Sequence, residues 1–286
     1  MIDIRLVTMS DLEWPDSDLE VLDDALNAQG LRVDRADWRD PAVQWANARL
    51  TLLRSPWNYV DAVDDFVGWV HAVGSVSQVW NPPELVEWNV HKSYLLDLQA
   101  RGAPVVSTVL LLQGTAASLD GICDARGWNA VVLKPAVGSS AKHSARFDVG
   151  DASGQAHLDA LLQSGDVLVQ PFVPSVLTDG ELSVMLVDGV VTHAVRKRPK
   201  ARDYRVQEEW GGTSELVEPA ASAAELAARV VEVLPAPALY ARVDLLLQDQ
   251  LWHVLEAEVT EPALWLNHAP GSATDRLVAA LVSRLD

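Results

Sequence analysis

Along the first ninety positions, apolar residues alternate between a strand rhythm and a helix rhythm. Ile2 to Val7 is an apolar, partly alternating run that predicts a strand. Leu19, Leu22 and Leu26 then recur at helical spacing, with Gly30 as the stop. Leu50 to Leu53 suits a buried strand, and Val63, Phe66, Val67 and Val70 fall at i, i+3, i+4 and i+7 before Gly74. The strand–helix–strand–helix order predicts an α/β unit built on a parallel sheet. No glycine-rich dinucleotide fingerprint follows the first strand, so a nucleotide site is expected elsewhere.

Asn81-Pro82-Pro83 punctuates the chain and marks the first expected boundary. A short helix is predicted to begin near Asn89, a good N-cap type, with Tyr94, Leu95 and Leu98 as its apolar face and Gly102 as its end. Asn129 to Lys134 reads as a strand running into the small-residue loop Ala136-Val137-Gly138-Ser139-Ser140-Ala141. Asp166 to Val173 is a further strand. Glu181 to Val187 and Val190 to Val195 flank Asp188-Gly189, the sharpest hairpin signal present. A second hairpin is expected from Leu239 to Val259 through Gln248-Asp249-Gln250, and a last helix over about 272–285. There is no internal repeat.

Composition narrows the function classes. The 286 residues are 49% hydrophobic and 22% charged, an ordinary globular balance. A formal charge of -18 argues against a broad nucleic-acid or anionic-membrane surface, both of which need a positive footprint. Cys123 is the single cysteine, which excludes an intramolecular disulfide framework and a multi-cysteine zinc site. No apolar run approaches the ~18 residues of a membrane span. The start, Met1 to Val7, lacks the basic and apolar regions of a secretion signal, so a cytoplasmic location is the expectation.

The second hairpin carries the most explicit chemistry. Side chains alternate faces along a strand, so Arg242 shares a face with Asp244, and Glu256 with Glu258. A three-residue turn centred on Asp249 would set Arg242 opposite Glu256 and Asp244 opposite Val254, with all four charges on one face. Asp244 and Glu256 would then be diagonal neighbours, about 7–8 Å apart. Oxygen-only ligands of this kind suit Mg²⁺. A solvated sheet face in which Arg242 pairs with Glu256 fits the same spacing, and both readings stay open. Glu261-Pro262 adds a fourth carboxylate beyond the ladder.

Lysine is scarce and confined: Lys92, Lys134, Lys142, Lys197 and Lys200 are the only five. Lys92 falls near the third position of its expected helix, where a cation opposes the helix dipole unless an anion binds nearby. Lys134 closes a strand before a loop able to fold its N–H groups over phosphate oxygens. The segment Arg196 to Arg205 holds six basic residues in ten and runs towards Gly211-Gly212. It reads as a solvated loop, or as a site for a compact polyanion or a substrate carboxylate.

Taken in order, these pieces resemble the ATP-grasp superfamily. The chain is similar to the glutathione-synthetase-like and RimK-like carboxylate–amine ligases, and among them to the O-ureido-serine cyclo-ligase type of D-cycloserine biosynthesis. The carrying segments are Asn81-Pro82 with Trp88-Asn89 and Lys92 to Leu95; Val132 to Ser140; Val169 to Val173 with Gly180-Glu181; Lys200 with Asp203 to Gln207 and Gly211-Gly212; and Arg242 to Asp244 with Leu255 to Glu258. The resemblance implies an α/β fold of the α+β ATP-grasp kind. A Rossmann-like parallel α/β domain over 1–88 would precede a lid subdomain over 89–170 and a C-terminal subdomain over 171–286 with the metal site.

It further implies ATP between the two subdomains. Lys92 and Lys134 would touch its phosphates under the loop of Gly138, Ser139 and Ser140, with Lys200 also binding the nucleotide. Gln170, Phe172 and Val173 would line the adenine pocket, and Glu181 would accept the ribose hydroxyls. Asp244, Glu256 and Glu258 would hold one or two Mg²⁺, although many relatives place Asn where this chain has Glu258. Arg205 would contact the γ-phosphate or a substrate carboxylate, and Arg242 would steady an acyl phosphate.

The implied reaction is phosphorylation of a carboxylate by ATP, then attack by a nitrogen to give an amide, ADP and phosphate. The expected partner is a small amino-acid-like substrate, not nucleic acid or membrane, with a homo-oligomer left open. Arg54, Trp57, Asn58 and Tyr59 are candidate substrate contacts, with plain packing as the bland alternative for Trp57 and Tyr59. An ATP-binding regulatory module without turnover is the alternative from another class.

Overall fold

The computed structural model describes residues 1–12, 15–269 and 271–285. The first stretch comprises β1 (Ile2–Thr8), α1 (Ser17–Ala28), β2 (Val33–Asp37), β3 (Ala48–Leu53), α2 (Val63–Gly74) and β4 (Gln78–Trp80). Its four strands form an all-parallel sheet in the order β2-β1-β3-β4. β1 and β3 are buried on both faces, and the charged residues that interrupt the apolar run of β1 are paired, Asp3 with Arg32 and Arg5 with Asp34. α1 begins at Asp16, whose carboxylate accepts the Asp18 N–H at 3.0 Å, and packs Leu19, Leu22 and Leu26 onto the sheet.

Two short helices follow, α3 (Pro83–Asn89) and α4 (Tyr94–Ala100). Asn89 therefore ends a helix instead of capping the next one. The reason is tertiary: its amide donates to the Ala257 carbonyl at 2.7 Å and accepts the Val259 N–H at 3.0 Å. Lys92 lies ahead of α4, not inside its first turn, so the dipole penalty inferred from sequence does not arise.

The next sheet contains β5 (Val109–Leu111), α5 (Leu119–Asp124), β6 (Ala130–Pro135), β7 (Ala145–Asp148), α6 (Ala152–Ser164) and β8 (Val167–Pro171), with antiparallel strands ordered β5-β8-β6-β7. α5 and α6 close one face around Leu119, Leu133, Leu158 and Val169.

After α7 (Ser175–Thr178) come β9 (Glu181–Val187), β10 (Val190–Arg198), β11 (Thr213–Val217), α8 (Ala221–Glu232), β12 (Tyr240–Gln248), β13 (Leu251–Glu258) and α9 (Gly271–Ser283). Their antiparallel sheet has the order β11-β10-β9-β12-β13. One face is apolar throughout: Leu182, Val184, Leu186, Val243 and Leu245 pack with α4 and α8. The other face is divided. Met185, Val187, Val195 and Tyr240 join α9, α1 and the parallel sheet in a second core. The rest of that face carries Glu181, Ser183, Lys197, Arg242 and Asp244, and over it lies the sheet that carries Lys134.

Candidate active site

The charged half-face follows from strand alternation. Leu182 and Val184 are committed to the α8 side, so Glu181 and Ser183 point the opposite way. Lys197 on β10 lies opposite Glu181, and Asp244 on β12 lies opposite Ser183.

β13 reaches this face through an irregularity. Asp249 and Gln250, at φ 51° and 66°, form a two-residue turn, and Gln248 pairs with Leu251. Continued unbroken, that register would turn Glu256 and Glu258 onto the face opposite Asp244. A β-bulge at Leu255 corrects it: Leu245 pairs with Val254, but Asp244 pairs with Glu256 and Arg242 with Glu258. The four charges do share a face, in a register different from the three-residue turn expected. Arg242 faces Glu258, not Glu256.

Four cations and four carboxylates interlock there. Lys134 donates to one oxygen of Glu256 at 2.7 Å and Lys92 to the other at 3.1 Å. Lys197 pairs with Glu181 and lies 3.4 Å from Asp244. Arg242 donates to both oxygens of Asp244, at 3.0 Å each, and also holds Glu258. Ser183 donates to Asp244.

The carboxyls respond differently. For Glu256, burial is outweighed by Lys134 and Lys92, which hold its pKa well below the usual range. For Asp244, burial is outweighed by Arg242 and Lys197, and its pKa is lowered. At Glu181 burial prevails over Lys197 and raises the pKa. Burial likewise raises Glu258, against the pull of Arg242. Burial opposes the charge on Lys92, but Glu256 and its neighbours keep the ammonium protonated.

Arg242 stands between Asp244 and Glu258, and lysines occupy both oxygens of Glu256. Among the described residues, no three side chains of the metal-ligating types converge as a cluster. The simple three-carboxylate convergence expected from sequence is thus replaced by an ion-paired arrangement.

A cavity of about 540 Å³ runs between the two antiparallel sheets and on to the parallel one. Lys92, Lys134, Glu181, Arg242, Asp244, Glu256 and Glu258 line it. So do Gly138, Ser139 and Ser140 of the small-residue loop, and Gln170, Phe172 and Val173 of the β8 end. That loop carries positive φ at Ser140, Ala141 and His143. It meets the segment after β10, where Trp210 donates to the Ser140 carbonyl at 2.9 Å.

Arg205 lines the cavity with its guanidinium 3.6 Å from the Trp210 ring centroid, and pairs with Asp203 at 2.9 Å. Lys200 is not among the lining residues; its stem packs by Gly211. The basic segment is split by alternation: Arg196 and Arg198 reach carbonyls of Asp179 and Thr178, and Lys197 points inward.

Of the four substrate candidates, Trp57 and Tyr59 line the cavity. Arg54 and Asn58 do not: Arg54 is fully buried against Asp18, and Asn58 accepts from Trp38. Sequence reasoning left Lys197, Ser183, Glu261 and Trp265 without roles. Trp265 sits beside both Lys197 and Arg242, with ring centroid distances of 5.6 and 5.4 Å.

Comparison with known proteins follows the same division. Residues 109–264, more than half of the chain, match the family of the prokaryotic glutathione synthetase ATP-grasp domain. The chain belongs to the ATP-grasp ligases. Residues 4–81 of this ligase match the N-terminal domain of D-cycloserine synthetase DcsG. The cycloserine biosynthesis protein DcsG of Streptomyces lavendulae is 31% identical over 94% of each chain. The crystal structure of D-cycloserine synthetase DcsG superposes at a TM-score of 0.90, with 29% identity over 99% of both chains. The ATP-grasp ligase PsnB, solved with a precursor variant, Mg and ADP, shares the fold at a TM-score of 0.68 and 17% identity, covering 100% of this chain and 99% of its own. The protein is an ATP-using enzyme that joins a carboxylate to an amine nitrogen.

Proposed function

We propose that this ligase activates the carboxylate of a small amino-acid-derived substrate as its acyl phosphate and closes a ring with a nitrogen of the same molecule. The substrate is of the O-ureidoserine type, and the pathway is specialised metabolism. The observation that carries this reading is the end-to-end correspondence with the cycloserine protein. It extends through the N-terminal sheet, the part of the chain that supplies Trp57 and Tyr59 to the cavity.

In this reading Lys92 and Lys134 hold the ATP phosphates and Gly138 to Ser140 cover them. Gln170, Phe172 and Val173 take the adenine, and Glu181 takes the ribose. Arg205 contacts the γ-phosphate or the substrate carboxylate, and Arg242 steadies the acyl phosphate. Lys197, rather than Lys200, supplies the additional cation near the nucleotide.

The donor set fits Mg²⁺, because Asp244, Glu256 and Glu258 offer only oxygen. Their present partners are ammonium and guanidinium groups, for which the nucleotide phosphates compete. Bound there, Mg²⁺ would neutralise charge on the transferring phosphoryl group. The catalytic contribution of the chain itself is positioning and fixed positive charge. Among the described residues no helix is long and apolar enough to cross a membrane, and we assign the enzyme to the cytoplasm.

The test is a mass-spectrometric screen for ATP-dependent product with O-ureidoserine, in both enantiomers, and with pairs of amino acids. Loss of water from O-ureidoserine's backbone carboxylate with ring closure supports cyclisation. Product only from pairs of amino acids would replace it with intermolecular ligation.

A further inference from the structure

Glu261 occupies the end of the cavity nearest the parallel sheet, three residues beyond Glu258. Its backbone is anchored from that sheet's side. Trp57 donates its indole N–H to the Glu261 carbonyl at 3.2 Å, and Arg54 donates to the Pro262 carbonyl at 2.9 Å. The residue is only 8% exposed, yet it lines the cavity together with Tyr59.

Its neighbours differ from it in one respect. Glu181, Asp244, Glu256 and Glu258 each pair with a Lys or Arg. Among the described residues Glu261 pairs with none. A buried carboxylate without a cation is unfavourable unless it has a proton to take or a donor to meet. Burial and the charge of Glu258 push its carboxyl up to about 7, against Lys92 and the Tyr59 hydroxyl. These groups come from β13, from the segment between α3 and α4, and from the segment after β3. Arg242 is adjacent, its guanidinium 3.4 Å from the Ala263 carbonyl. The cavity therefore has its fixed cation and its free carboxyl at neighbouring places.

We propose that Glu261 is the proton acceptor for the attacking nitrogen, with Tyr59 orienting its carboxylate. This rests on the acyl-phosphate reading above. The nitrogen lone pair forms the C–N bond at the acyl carbon. The bond from that carbon to the phosphate oxygen breaks, and phosphate leaves with the electron pair. The proton lost by the nitrogen passes to the Glu261 carboxylate.

The experiment separates carboxylate activation from nitrogen attack. Wild type, Glu261→Gln and Glu261→Asp are incubated with O-ureidoserine, ATP and Mg²⁺, with and without hydroxylamine. Hydroxylamine is neutral at pH 7 and traps an acyl phosphate as a hydroxamate without needing a base. Glu261→Gln is expected to form hydroxamate within about threefold of wild type. Its ring-closed product should fall roughly 100-fold, the usual scale of a lost general base. The acid limb of the wild-type product pH profile, near pH 7, should vanish in this variant and persist in Glu261→Asp. Wild-type product formation by Glu261→Gln would overturn the assignment. Equal loss of hydroxamate and product would also overturn it, because Glu261 would then only assemble the site. If wild type itself formed no hydroxamate, the acyl-phosphate reading would fail and take this assignment with it. That failure is visible before any variant is compared.

Discussion

Lys134 donates to Glu256 at 2.7 Å although 122 positions separate them in the chain. The lysine closes β6 in one antiparallel sheet, and the acid lies on β13 in the other. Lys92, from a third place in the fold, takes the second oxygen of the same carboxylate. One acidic side chain thus gathers the two lysines that the sequence singled out. It holds both ammonium groups at the cavity wall.

Replacing Lys134 with Ala should weaken ATP binding at least about tenfold, which corresponds to about 1.4 kcal/mol. Calorimetry with a non-hydrolysable ATP analogue reads this directly. Unchanged affinity would remove Lys134 from the phosphate site.

Asp244→Asn should reduce turnover by at least roughly 100-fold, on the scale of removing a fixed electrostatic contact. Asp244 accepts from Arg242 and Ser183 and lies beside Lys197, so the neutral amide would also present N–H groups to donors. Substrate-dependent ADP release is the assay. A fully active variant would contradict the assigned metal role.

Chelation should abolish turnover and added Mg²⁺ should restore it. The oxygen-only donor set is the reason. Turnover that survives exhaustive chelation would mean that Lys92, Lys134, Lys197 and Arg242 supply all the positive charge needed.

Glu261 also makes a prediction about stability. Its carboxyl rises from 4.5 to about 7 on folding. Between those values the folded state binds more protons than the unfolded state, so stability falls as pH rises through this window. The full effect is up to about 3 kcal/mol. Denaturant unfolding of the ligand-free protein at pH 5 and pH 8 should show this decline in wild type, and a smaller one in Glu261→Gln. Parallel declines in both would show that other groups set the pH dependence.

Much of the scaffold was legible because its periodicities are strong. β1, β3, α1 and α2 follow from runs of Ile, Leu and Val at strand or helix spacing, and the Asp188-Gly189 turn follows from two residues that tolerate positive φ. α8 went unpredicted although Ala223, Leu226, Ala227 and Val230 recur at helical spacing on its buried face.

The lining of the cavity was legible in the sequence more than the pairing of its charged groups. Asn89 reads locally as a cap, but it serves the edge of β13, a contact no local pattern encodes. The Leu255 bulge has no signature in the sequence, yet it alone puts Glu256 and Asp244 on one face. Lys197 could have been found. Alternation from the buried Val195 sends it inward, while Arg196 and Arg198 face away. Lys200 falls beyond the end of β10, where that alternation no longer holds.

The most direct measurement is a crystal structure of the protein with ADP and Mg²⁺. The account expects Lys92 and Lys134 to turn from Glu256 to the phosphates, with Asp244 and Glu256 then facing the metal. Both lysines still on Glu256, with the nucleotide bound elsewhere, would contradict it.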